Sequence, residues 1–322
     1  MVCAAVAAVA AAPAAAQRPA ADPAAGFPSR PLRMIVPFAP QGPNDQLARM
    51  VGLRLTEAWG QQVVVDNRPG AGTVIGTEIA VRAPADGHTM LMISLSTAVN
   101  PVLRSKLPYD TAKELQPLIN LAVSPNILVT HPSVQARNIA ELLALAKAKP
   151  GEITYASGGT GAATHLAGEL LASMGGVKMT HVPYKGANPA TIDLLGGRVA
   201  WMFGTILTTL PHVRAGKLRA IGISSLKRAP TLPDVPAIAE TLPGFEALSF
   251  YGIGVPAGVP KPVMAKLNGE IARIITMPDT REQLRQQGVE AVGNSQAEFT
   301  AFFRGEMNKW AKVIKEAGIK AD

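Results

Sequence analysis

Five short loops rich in Gly, Ser, Thr and Asn hold most of the residues that could grip a small ligand. They are Phe38-Ala39-Pro40-Gln41-Gly42-Pro43-Asn44-Asp45, Ser94-Leu95-Ser96-Thr97, Ser157-Gly158-Gly159-Thr160-Gly161 running on to Thr164, Tyr184-Lys185-Gly186, and Gly204-Thr205. Glycines let backbone come close to a ligand, and hydroxyls supply neutral donors and acceptors. The first loop precedes a helical pattern, so its unpaired N–H groups at the positive end of a helix dipole suit an anion. Asn44 or Asp45 reads equally as a helix cap, and for Asp45 alone capping is the stronger reading. The 157–164 segment is not a phosphate loop, because no Gly-Lys-Ser/Thr follows, and a plain flexible turn is its alternative. For Tyr184 the alternative is packing against its own lobe, and for Lys185 a solvated charge.

Catalytic patterns are missing. The five histidines, His88, His131, His165, His181 and His212, never stand at the i, i+4 spacing of a helical metal site. There is no H-E-x-x-H, no G-x-S-x-G and, with Cys3 the only cysteine, no thiol nucleophile in the body of the chain. Asp45 is the only carboxylate in the candidate loops, so no acid–base pair is visible. Asn67-Arg68-Pro69-Gly70-Ala71-Gly72-Thr73 follows a strand, but its glycines (Gly70, Gly72, Gly76) are spaced G-x-G-x-x-x-G and no acid is placed for a ribose. Tight-turn packing accounts for them better than a dinucleotide. The expectation is a binding protein without cofactor or metal.

These loops need strands and helices to aim them. From Leu32 onward, β-branched runs alternate with amphipathic helical patterns, the mark of an α/β fold with largely parallel sheets. Strands are expected at 32–37, 63–66 and Thr89–Ile93, and a first helix buries Leu47, Val51, Leu55 and Trp59. Residues 115–130 read as two apolar runs divided by Ser124-Pro125-Asn126. Asn138 and Glu141 should cap a helix with Ile139, Leu142 and Ala146 inward. Strands at 153–156, 177–182, 199–203 and 218–223 then build a compact second lobe. Another strand-like run follows Phe245. Two helices complete the chain, one with Val263, Leu267, Ile271 and Ile274 on a stripe, the other with the box Ser295-x-x-Glu298 and Phe299, Phe303, Trp310 and Ile314 inward. The passages near 115–130 and 240–256 bracket the middle lobe, and two crossings make a natural hinge.

Bulk properties agree with a folded protein: of 322 residues 48% are hydrophobic and 17% charged. The formal charge of +8 is spread over single Lys and Arg residues, and aromatics are only 5%, so nucleic acid is not an expected partner. Residues 2–16, VCAAVAAVAAAPAAA, are too short an apolar run to span a bilayer and end in small residues before Gln17. They read as a signal peptide (1–16) without its basic start, or else as an Ala-rich tail. A Pro/Ala-rich tether (17–31) follows.

Ordered motifs then carry a resemblance: FPSRPLRMIVPFAP, VVVDNRPGAG, APADGHTMLM, YASGGTG with THLAGELL, HVPYKGANPA, DLLGGRV, LPHVRAGKLRAIGISS, LPDVPAIAE and KWAKVIKEAGIK. From residue 27 to 322 the chain resembles the periplasmic substrate-binding receptors of tripartite tricarboxylate transporters, the Bug family. The resemblance implies the two-lobe periplasmic-binding-protein fold of the second type, with lobe 1 at 32–123 and 247–322 and lobe 2 at 124–246. It also implies a monomer that holds a dicarboxylate, tricarboxylate, amino acid or aromatic carboxylate and delivers it to membrane permease subunits. The alternatives are a sensor subunit or an enzyme on the same fold. The contacts it implies fall in the five loops above. Two positions depart from the family pattern: Gln41 where Pro-Gly-Gly is usual, and Gly204 where an Asp often follows the Phe. The second makes an amine-bearing ligand a poorer fit.

Overall fold

The computed structural model describes Met1, residues 24–184 and residues 186–319. The expected signal peptide, most of the tether and Lys185 lie outside the described residues.

The first lobe opens with β1 (Leu32–Val36), α1 (Pro43–Trp59), β2 (Val63–Asn67), α2 (Val74–Val81), β3 (Thr89–Ile93) and α3 (Leu95–Leu103). After the single turn α4 (Thr111–Glu114), β4 (Leu115–Thr130) carries the chain into the second lobe. That lobe comprises α5 (Ile139–Ala148), β5 (Thr154–Ser157), α6 (Ala163–Gly175), β6 (Thr180–Pro183), α7 (Ala187–Leu195), β7 (Trp201–Thr205), α8 (Ile206–Arg214) and β8 (Arg219–Ile223). Then β9 (Leu248–Pro256) returns to the first lobe, which ends with α9 (Lys261–Thr276), α10 (Pro278–Gln286), β10 (Glu290–Ala291) and α11 (Gln296–Glu316).

Among the described residues the strands form one hydrogen-bonded path, β2-β1-β3-β9-β4-β7-β5-β6, with β10 and β8 also on β4. The outer strands are parallel: β2, β1 and β3 in one lobe, β6, β5 and β7 in the other. Pairings that involve β4 and β9 are antiparallel, so each sheet is mixed. Parallel outer strands put all their loops at one end, which is how the five candidate loops come to share a side.

β4 differs from the two divided runs expected of it. It is one 16-residue strand, and the change at Pro125-Asn126 is a change of partner. Up to Pro125 it pairs with β9; from Asn126 it pairs with β7 and β8. Proline donates no ladder hydrogen bond, so it is tolerated where one set of neighbours gives way to the next.

The expected stripes are buried: Leu47, Val51 and Leu55 on α1, Leu267 and Ile271 on α9, and Phe299, Phe303, Trp310 and Ile314 on α11. One core cluster lies under α1 and α9, another under α7 and α8. A third runs from Leu95 and Leu103 through Phe250 and Phe299 to Tyr155 and Trp201, and so continues across both lobes. α11 seals it by packing on α3 and α6. Phe27, expected in the tether, is buried against Trp59 and His88. The third closing helix, α10, was not expected, because its buried residues are only Thr280 and Leu284.

Candidate functional site

The helices that follow the five loops are α1, α3, α6, α7 and α8. Four of them begin without a side-chain hydrogen bond to the first-turn N–H groups, at Gly42, Ser94, Ala162 and Gly186, although at α3 the Ser94 and Thr97 side chains are set out as a capping box. Only α8 is capped, by Thr205 Oγ1, which accepts from the Thr208 N–H at 3.3 Å. Uncapped N–H groups at the positive ends of helices form a ready anion site.

In the first loop Asp45 is buried, and its carboxylate is spent within the lobe. It accepts from the Gln41 N–H, Arg49 Nε and Asn67 Nδ2, each at 2.9 Å. Asn67 Nδ2 also donates to the Phe38 carbonyl at 3.1 Å, so the end of β2 clamps the loop after β1. Burial alone would raise the Asp45 pKa, but these hydrogen bonds hold its carboxyl below the ordinary value. Asp45 is therefore a loop organiser, reaching back to Gln41 instead of filling the cap position, which Gly42 holds. Ala39, Pro40 and Gln41 are exposed. Asn44 Oδ1 is buried with no hydrogen-bond partner among the described residues.

In the second loop Ser94 Oγ is likewise buried and unpartnered, while Thr97 Oγ1 accepts from the Ser94 N–H at 3.4 Å. Buried polar atoms normally have partners, so Asn44 Oδ1 and Ser94 Oγ point to a further polar group at this end of the lobe. Ser96 Oγ donates to the Gly161 carbonyl at 3.4 Å and so touches the opposite lobe.

The second lobe's loops are tied together. The Tyr184 N–H donates to the Ser157 carbonyl and the Gly186 N–H to the Gly158 carbonyl, both at 3.1 Å. Gly158 N–H donates to Thr164 Oγ1 at 3.2 Å. Thr160 is exposed. The Tyr184 hydroxyl is engaged elsewhere: it donates to Asp193 at 2.7 Å, and Asp193 also holds Arg198. Burial, then the Asp193 carboxylate, push that phenol up to about 12. Its side chain packs on its own lobe, as the alternative reading had it.

Gly204 is filled from within. A Cβ there would run into the Thr209 Cγ2 methyl, and Thr209 Oγ1 donates to the Thr205 carbonyl at 2.8 Å. A cavity of about 300 Å³ lies between α1 and α10 of the first lobe, with Gln46, Met50, Gln283 and Gln287 on its walls; Ser124 and Tyr251 of the crossing strands close it, and of the candidate loops only Pro43 and Thr205 reach it. The candidate loops of the two lobes meet at the Ser96–Gly161 contact. Asn67, His181 and Thr209 shape these loops but were not among the residues expected to matter. Asn67 and His181 act across elements distant in sequence, whereas Thr209 acts within one helical turn of Thr205; only Asn67, which ends a strand beside the first loop, offered a signal.

The sequence profile of the tripartite tricarboxylate transporter family receptors matches residues 47–319. This chain belongs to that family. It is 40% identical over 92% of its length to a Pseudomonas sp. strain P51 protein from the tcbD-tcbE intergenic region, covering 89% of that protein. With the Bordetella pertussis protein BugT it shares 37% identity, covering 91% of each chain. Among solved structures, R. palustris Rpa4515 with adipate is similar at a TM-score of 0.85 and 34% identity, over 91% of this chain and 99% of that one. MatC from Rhodopseudomonas palustris with bound malate is similar at 0.81 and 29%, over 89% of this chain and all of that one. The fold of this receptor is the expected two-lobe binding-protein fold.

Proposed function

We propose that this receptor works outside the cytoplasm, in the periplasm, as a monomer that holds a small organic carboxylate between its lobes and passes it unchanged to the permease subunits of a tripartite tricarboxylate-type transporter. The observation that carries this reading is the set of helix N-termini without a side-chain hydrogen bond at the ends of the candidate loops, two of which, those before α3 and α6, touch across the lobes. Such a site attracts an anion through backbone dipoles. Adipate and malate in two structural relatives support the same class of solute. The change of β4 pairing at Pro125-Asn126 supports taking 124–246 as the moving lobe.

A dicarboxylate without an ammonium group is the favoured solute. The Asp45 oxygens are already taken, and Thr209 fills the space that a side chain at 204 would need. A thermal-shift panel of adipate, malate, citrate, benzoate and aspartate tests this. A ligand that binds only the folded form raises Tm by mass action. Adipate or malate should raise it, aspartate should not, and the bound acid should be recovered unchanged by mass spectrometry. A panel in which aspartate alone raises Tm overturns the preference; one in which no organic acid does overturns the carboxylate reading.

A further inference from the structure

Beneath the 157–161 loop lies a stack of titratable rings. Tyr155 of β5 stacks on Trp201 of β7 with ring centres 4.8 Å apart. The His181 ring of β6 lies 5.0 Å from Tyr155, and His165 of α6 covers His181 at 3.8 Å, nearly parallel. Glu169, one turn along α6, accepts from the Tyr155 hydroxyl and stands 3.6 Å from His165 Nε2.

Both imidazoles hold the loop. The Gly161 N–H donates to His165 Nδ1 at 3.1 Å, so that nitrogen carries no proton and the ring's hydrogen sits on Nε2, toward Glu169. Ser157 Oγ lies 2.6 Å from His181 Nε2, accepts from the Gly159 N–H at 3.1 Å and donates to the Gly159 carbonyl at 3.2 Å. A hydroxyl has one hydrogen, so all three contacts are satisfied when His181 donates from Nε2. Neutral rings, each protonated on Nε2, therefore fix the backbone at Gly159 and Gly161.

We propose that His165 and His181 are positioning residues for the solute loop, and that their neutral Nε2–H forms set solute affinity, which falls as the pH drops. This rests on the reading that the 157–161 loop contacts the solute. A second proton on His165 must go to Nδ1, which ejects the Gly161 N–H. A second proton on His181 sets a positive charge against a stacked imidazole. Burial, then the neighbouring His165, push the His181 pKa from 6.5 down to about 4. The carboxylate that acts on the stack is Glu169, held below its usual range by His165 and Tyr155 despite burial. On α11, which packs on α6, Glu306 is engaged by Trp310 Nε1 and Lys309. Because the folded-state pKa of His181 is depressed, the neutral arrangement is fully favoured above pH 6.5. It is lost as the pH falls through about 4.

Calorimetry with adipate at pH 8 and pH 4 tests this on the wild type and on the H165N/H181Q variant. Asn can accept in place of Nδ1 and Gln can donate in place of Nε2–H, and neither titrates. The wild type should bind adipate about twofold more weakly at the lower pH, beyond the change in the variant, because about half of His181 carries its second proton there. Protonation of the diacid is common to both proteins and cancels. Equal pH dependence in the two overturns the proposal. Amide and imidazole NMR of the unliganded wild type gives a second arm that needs no solute. The Gly159 and Gly161 amides should titrate with the histidine rings, and amides that ignore the histidines overturn the proposal even if adipate binds. Amides that follow them in a protein that binds no organic acid keep the loop device and sink the carboxylate reading.

Discussion

Gln41 occupies a backbone conformation that glycine would hold at lower cost. Its φ is 69°, in the left-handed region, where a Cβ crowds the following carbonyl by roughly 1 kcal/mol or more. The Asp45 carboxylate, hydrogen-bonded to the Gln41 N–H, keeps it there. Replacing it with Gly relieves the crowding but frees the unfolded chain, which takes back part of the gain. Gln41→Gly should therefore stabilise the protein by somewhat less than about 1 kcal/mol, a rise in Tm of about 1–3 °C by thermal denaturation. A fall in Tm would mean that the Gln side chain contributes contacts that outweigh its strain. The Asp45 clamp has its own pH window. Its pKa is lowered on folding, so its contribution is complete above the ordinary carboxylate value and is lost only in stronger acid, as the pH falls through the depressed pKa. His181 loses its contribution at milder pH, as the pH falls from 6.5 through about 4.

The two crossing strands are knotted together by one buried amide. Asn126, on β4 where its pairing changes, donates from Nδ2 to the Ala247 carbonyl at 2.9 Å and accepts from Ser249 Oγ at 3.1 Å. Its N–H donates to Ser224 Oγ at 2.8 Å, and that hydroxyl in turn donates to Ala247 at 2.6 Å. Asn126→Ala strands Ser249 Oγ inside the hinge and should cost about 1–3 kcal/mol in urea denaturation, the penalty for an unsatisfied buried group. A loss below about 0.5 kcal/mol would show that the crossings are held by packing alone. This knot also marks where sequence reasoning stops. The stripes of α1, α9 and α11, the cap at Asn138 and the capping box at Ser295 were legible, because periodicity and caps are local signals. β5, β6 and β7 begin and end later than their apolar runs, and for β5 and β6 the parallel register, Thr154 on Thr180 and Ser157 on Pro183, sets the limits. The loops could be found from composition. Which of their atoms remain free could not, because the partners of Asp45, Tyr184 and Ser157 come from Asn67, Asp193 and His181, on other elements.

At the scale of the whole molecule, the position that couples the lobes is Gly161. It has a φ of 78°, its carbonyl accepts from Ser96 of the other lobe, and a Cβ there would stand 2.5 Å from Leu103 Cδ1 at the end of α3. Opening the hinge separates the lobes and removes that clash. Gly161→Ala therefore carries two penalties, backbone strain in every state and a collision in the closed state alone. Gly216, between α8 and β8, separates them: its φ is 68°, but a Cβ there meets nothing within 4 Å. Both variants should lower Tm by a similar few degrees, about 1 kcal/mol of left-handed strain. Only Gly161→Ala should lose affinity for adipate, by about tenfold, and show less compaction by small-angle scattering when adipate is added. If Gly161→Ala closes on adipate as fully as the wild type, Leu103 yields freely and the lobes are not coupled at this contact. If Gly216→Ala loses affinity equally, general destabilisation of the second lobe, and not the contact across the cleft, governs binding.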